Sequence, residues 1–140
     1  MSRNNQNKVG VIFLSKQEIA TDKAPAAIGP YSQGIKIDNL IFTSGQLPID
    51  PATGEIAGGS IEEQAKQAFE NLKAVLEASG ASLGDVIKTT VFLDNLGDFG
   101  TVNEIYGSYF SKPYPARSCY EVAKLPKGAL IEVEAVAEAK

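Results

Sequence analysis

From Ser60 to Leu93 the chain reads SIEEQAKQAFENLKAVLEASGASLGDVIKTTVFL, and two different hydrophobic periods meet within it. Ser60 with Glu63 makes a capping box, in which each residue satisfies an amide the other leaves free at the start of a helix. Ile61, Ala65, Ala68, Leu72, Val75 and Leu76 follow at three-to-four spacing until Gly80 ends the pattern, which predicts an amphipathic helix. Val86 to Leu93 is apolar on both alternations, as suits a central strand covered on both faces.

Upstream, Gly34 to Ile37 and Leu40 to Gln46 are short apolar runs separated by Asp38-Asn39, a pair that tolerates positive φ, so they read as a hairpin. Leu47 to Gly59 holds two Pro and three Gly and reads as a loop with a turn at Asp50–Gly54. Downstream, Asp98 can cap a second helix with Phe99, Val102, Tyr106 and Tyr109 or Phe110 on one face, ended by Pro113 and Pro115. Arg117 to Val122 is a further strand. After a turn at Pro126–Gly128, Ala129, Ile131, Val133, Ala135 and Ala137 alternate with Glu132, Glu134 and Glu138 in a last strand with one apolar and one acidic face. The order hairpin, helix, strand, helix, hairpin is an α+β pattern, with right-handed crossovers placing both helices on one face of a mixed sheet. The other sheet face is then left for partner subunits to cover.

With 140 residues, 44% apolar and 21% charged, the chain is expected to form one globular domain over residues 17–140, preceded by a polar extension at 1–16. Its single cysteine excludes an internal disulfide and a multi-thiolate metal site, and fits a reducing, cytoplasmic compartment. The absence of histidine excludes Ser-His and Cys-His nucleophile pairs and His-based metal sites within the chain. A net charge of −4 argues against a phosphate-backbone partner such as RNA. No apolar run approaches a membrane span.

Arg117 is the sharpest chemical feature, because the only other arginine is Arg3 in the tail. A lone guanidinium after a rigid Pro-Tyr-Pro-Ala turn suits bidentate capture of a carboxylate or phosphate; the alternative is a buried structural pair with Glu121 or Glu132. If Arg117 to Val122 paired with the last strand as a hairpin, Glu132 or Glu134 would come within reach of the guanidinium, where a carboxylate can hold or activate water. The plain alternative is a solvated strand face. Cys119 reads either as a neutral half-buried thiol or, given some means of lowering its pKa, as a nucleophile. Tyr31 follows a fixed turn and either lines a pocket or packs at the edge of the core. Ser44-Gly45-Gln46 ends a strand where backbone can approach a ligand closely. Asn103 has no signal of its own beyond being polar beside apolar Val102.

Four motifs in register, APAAIGPYSQ (24–33), TSGQ (43–46), PARSCYEV (115–122) and LPKGALIEVE (125–134), closely resemble the Rid (YjgF-like) family, in particular its RidA branch. The resemblance runs from about Gln17 to the C-terminus; the stretch before Gln17 departs from the family's usual short N-terminus. It implies a chorismate-mutase-like (ferredoxin-like) α+β fold, assembled as a homotrimer with a central barrel and with sites between adjacent subunits. It implies hydrolysis of 2-iminobutanoate and 2-iminopropanoate, released by pyridoxal-phosphate dehydratases, to 2-oxo acids and ammonia, with no cofactor or metal. By motif match Arg117 would grip the substrate carboxylate and Glu132 would orient the attacking water. Tyr31, Ser44, Gly45, Asn103 and Cys119 would line the cleft. Two other functions stand beside this one: a non-catalytic sensor of small 2-oxo acids using the same arginine, and RNA cleavage or translation inhibition, which the acidic balance disfavours.

Overall fold

The structure, a computed structural model, describes residues 15–140. All but the last two residues of the expected extension at 1–16 lie outside them. The elements are β1 (Gln17–Ile19), β2 (Gly34–Ile37), β3 (Leu40–Thr43), α1 (Ile61–Ala78), β4 (Val86–Leu93), α2 (Phe99–Tyr109), β5 (Ala116–Glu121) and β6 (Ile131–Glu138). The strands form one mixed sheet in the order β1-β2-β3-β6-β4-β5, with only β4 and β5 parallel. Both helices lie on the same face, α1 against β6 and α2 against α1. No helix among the described residues is long and apolar enough to cross a membrane.

The predicted hairpin forms, with Ile37 opposite Leu40 and Asp38 at φ 53° in the turn. The capping box is present: the Glu63 amide donates to Ser60 Oγ at 3.1 Å and the Ser60 amide to Glu63 Oε1 at 3.3 Å. Behind it α1 buries Ala65, Ala68, Phe69, Leu72, Val75 and Leu76, while Gly80 takes φ 89° past its end. α2 starts where expected, but the Asp98 side chain does not cap it. Instead Asn95 Oδ1 accepts from the Gly97 amide at 2.8 Å, tightening the 3₁₀ turn that precedes the helix.

β4 buries Val86, Thr89, Val91 and Leu93 beneath the helices, while Lys88, Thr90 and Phe92 on its other face are only half-buried, so the described residues cover one face of the strand and leave the other open, as the placement of both helices on one side leads one to expect. One expectation about the strands is corrected. The closing hairpin does not exist. β5 runs parallel to β4, with Arg117 opposite Thr89 and Cys119 opposite Val91, and β6 pairs with the opposite edge of β4, with Glu132 opposite Phe92. The reason lies in connection geometry: a strand-helix-strand unit returns its second strand parallel to the first. β6 is then drawn into the interior, where Ile131, Val133, Ala135 and Ala137 are all buried against the helices.

Candidate functional site

Arg117 stands on the edge strand β5 and, being paired with buried Thr89, points to the helix side of the sheet. Its Nη1 donates to Asn103 Oδ1 at 2.7 Å. Its guanidinium carbon lies 4.8 Å from the centre of the Tyr106 ring and 5.3 Å from that of Phe99. The residue is solvent-exposed, and no carboxylate among the described residues lies within ion-pair distance of it. The structural-pair alternative therefore does not hold. Glu121 Oε1 accepts from the Leu96 amide at 2.9 Å, and Glu132 is on the other side of the sheet. Beside the guanidinium is an open pocket of about 380 Å³ bounded by Asn103, Tyr106, Gly107, Tyr114 and Pro115.

Cys119, two residues on, shares the helix-facing side of β5 and packs against the core. Burial pushes its thiol pKa up while the Arg117 charge pulls the other way, so the group is held as the neutral thiol.

A second cluster forms where β3 gives way to the loop that follows it. The Ser44 amide donates to Gln33 O at 2.9 Å and its hydroxyl to Ser32 O at 2.6 Å. Gln46 exchanges backbone hydrogen bonds with Val133, so Ser44-Gly45-Gln46 runs alongside β6. The Glu132 side chain lies directly over Gly45, and a Cβ at that position would overlap the carboxylate. A side chain at position 45 would therefore displace the Glu132 carboxylate from its place over the backbone. Burial raises the Glu132 pKa above the usual glutamate value, with the negative charge of Glu134 adding to the effect. Gly45 also borders a hollow of about 140 Å³ with Ala26, Ile28, Tyr31, Leu47 and Pro126. Tyr31 is 53% exposed at its mouth, after a turn in which Gly29 adopts φ 122°.

The sequence-predicted residues thus fall into two groups. Arg117 and Asn103, with Cys119 adjacent, lie on the helix side at one sheet edge; Tyr31, Ser44, Gly45 and Glu132 lie beyond β4 from them. One chain does not bring the groups together, because the hairpin that would have done so is absent.

Sequence reasoning missed the residues that hold these pieces in place. Gln33, nearly fully buried, ties down the 21–25 segment with Nε2 donating to Thr21 O at 2.9 Å and Pro25 O at 2.7 Å. Asn71, on the buried side of α1, donates to Leu47 O at 2.9 Å and Ile49 O at 2.8 Å, fixing the loop beside Gly45. A polar residue within an apolar helical stripe was the available signal for Asn71. The rings under Arg117 had one too, since Phe99, Asn103 and Tyr106 stand at i, i+4 and i+7. No group of three or more acidic or thiol side chains among the described residues is arranged to hold a metal.

The endoribonuclease L-PSP family matches residues 21–139 of the chain. A RutC family protein of Pyrococcus abyssi is 56% identical over 124 residues, covering 89% of this chain and 98% of the relative. The 2-iminobutanoate/2-iminopropanoate deaminase of Escherichia coli is 52% identical over 122 residues, 85% of this chain and 94% of the relative. Among solved structures, E. coli TdcF with bound serine superposes with a TM-score of 0.84 at 47% identity, covering 89% of this chain and 99% of that one.

Proposed function

Because the chain belongs to the endoribonuclease L-PSP family, the Rid (YjgF-like) group whose motifs it carries, we propose that it hydrolyses small 2-imino acids, 2-iminobutanoate and 2-iminopropanoate, to the 2-oxo acids and ammonia. The observation that carries this reading is Arg117: an exposed guanidinium beside an open pocket, held by neutral groups and free of any acidic partner among the described residues. Such a group is suited to a small carboxylate, which it can bind through two parallel hydrogen bonds. The name of the E. coli relative and the serine carried by TdcF support the same ligand class, a small acid with nitrogen at its second carbon.

A protonated imine is already electrophilic, so the protein has to place substrate and water rather than supply a strong nucleophile or a metal. Water attacks the imine carbon, a C–O bond forms, and the resulting carbinolamine collapses with loss of ammonia to leave the 2-oxo acid. Glu132 is the group to take a proton from the water and return it to the departing nitrogen. Its raised pKa brings it nearer to neutrality, which favours both transfers. Tyr31, Ser44, the Gly45 backbone, Asn103 and Cys119 line the cleft in this reading.

Since Arg117 and Glu132 lie on opposite sides of β4 in one chain, the complete site requires two copies, the Arg117 group of one protomer meeting the partner subunit's Glu132. A homotrimer whose uncovered sheet faces close into a central barrel, formed by the domain at 17–140, provides that boundary. The lone free thiol suits a cytoplasmic setting.

The test generates the imine in place with a threonine dehydratase and follows 2-oxobutanoate release. We expect micromolar protein to accelerate release, with Arg117→Ala and Arg117→Lys each lowering kcat/KM at least about 100-fold, since lysine offers only a point charge. Their Tm should stay within about 2 °C of the parent's, because an exposed side chain contributes little packing. No acceleration by the parent chain overturns the reading, and saturable 2-oxobutanoate binding without turnover would replace it with a sensor.

A further inference from the structure

Arg117 is held without being neutralised. A long cationic side chain on an exposed edge strand would ordinarily be fixed by a carboxylate, but that partner would compete with any anionic ligand. Here the hold comes from one stripe of α2: the faces of Phe99 and Tyr106 at 5.3 and 4.8 Å from the guanidinium carbon, and the amide oxygen of Asn103 at 2.7 Å from Nη1. Aromatic faces attract a cation through their quadrupole and leave its charge in place.

Tyr106 is itself fixed. Its hydroxyl pairs with that of buried Thr89 at 2.8 Å, and its ring packs edge-on to Phe69 at 5.7 Å and against Phe110 at 4.5 Å. Thr89 is also the residue opposite Arg117 in the β4–β5 ladder. Backbone pairing, hydroxyl pair and ring face thus close a circuit that begins and ends at Arg117.

We infer that Tyr106 and Phe99 are positioning residues that preset the Arg117 guanidinium for a carboxylate. With Nη1 engaged by Asn103, the remaining N–H groups are left for the ligand, and the ordering of the side chain is complete before binding. The inference rests on the proposed reaction for the identity of that carboxylate and not for the geometry itself. The carboxylate next to the imine carbon takes no part in the bond changes and keeps its charge from substrate to transition state, so loosening its hold acts on KM more than on kcat.

The experiment compares the parent with Tyr106→Leu and Tyr106→Phe in the dehydratase-coupled assay, and by nitrogen-15 relaxation of the arginine Nε–Hε groups. Arg3 and Arg117 are the only arginines, so two side-chain signals report everything. We expect an ordered Arg117 signal in the parent. Loss of that order in Tyr106→Leu should accompany a KM about fivefold higher at a kcat within about twofold. Tyr106→Phe, which keeps the ring, should restore both order and KM. An unchanged KM and an equally ordered Arg117 in folded Tyr106→Leu overturn the inference, as does a fall in apparent kcat alone, the mark of a smaller folded fraction. Should Tyr106→Leu fail to fold, Phe99→Leu, at the half-buried start of α2, carries the same test with about a threefold KM effect. If the parent itself turns nothing over, the proposed reaction falls, and the relaxation data alone decide whether the rings hold the guanidinium.

Discussion

Glu132, the proposed proton carrier, has a cost to stability. Its pKa is raised in the folded chain first by burial and then by Glu134, so the folded state binds its proton more tightly than the unfolded state does. Stability is therefore lost as pH rises from the unfolded-state pKa through the raised folded value, and the loss is complete above it. Glu132→Gln removes that penalty. Its Tm should exceed the parent's at pH 7, and the difference should shrink as pH falls to where the carboxyl is protonated in both states; thermal melts across this range check it. The same substitution should abolish most turnover, and the parent's kcat should rise with pH as this carboxyl ionises. Arg117 differs, since the neutral groups around it carry none of this charge cost. Its chemical distinctiveness was legible in the sequence because guanidinium occurs once outside the tail. Its freedom from Glu121 and Glu132 was not, because that depended on which strand lay beside β5.

At the scale of elements, α1 does more than cover the sheet. Gln64 Oε1 accepts from the Leu130 amide at 2.9 Å and its Nε2 donates to Gly58 O at 3.2 Å, while Asn71 holds Leu47 and Ile49. One helix therefore fixes both the loop beside Gly45 and the approach to β6. Asn71→Ala would strand two carbonyls and should cost about 2 kcal/mol of stability. Backbone amides of the 47–59 loop should exchange faster with deuterium than those of the α1 core, and unchanged loop protection would contradict the assignment. The helix itself was readable from its capping box and apolar spacing, since these are contacts between residues three or four apart. The loop attachments were not, because Asn71 meets residues more than twenty positions away.

For the whole molecule, the face away from the helices carries Phe42 at 43% and Tyr120 at 55% exposure, with Phe92 stacked on Tyr120 at 6.5 Å. Exposed aromatic rings on this open side, beside the acidic face of β6, with the proposed catalytic groups divided across β4, are consistent with the two-copy site proposed above. Sedimentation should give the mass of three chains. Phe42→Asp should reduce that mass and the deaminase activity together while preserving the helical circular dichroism, because Phe42 is outside the core of the single chain. A fully active monomer would refute the shared site.

Local periods and caps in the sequence were enough to determine the two helices, the first hairpin and the amphipathic last strand, because each depends on neighbours within a few residues. The choice of partner strands belonged to the tertiary structure. The crossover through α2 returns β5 parallel to β4, and burial of Ile131, Val133, Ala135 and Ala137 draws β6 to the other side of β4. Arg117 and Glu132, fifteen residues apart in the sequence, are separated in space for that reason.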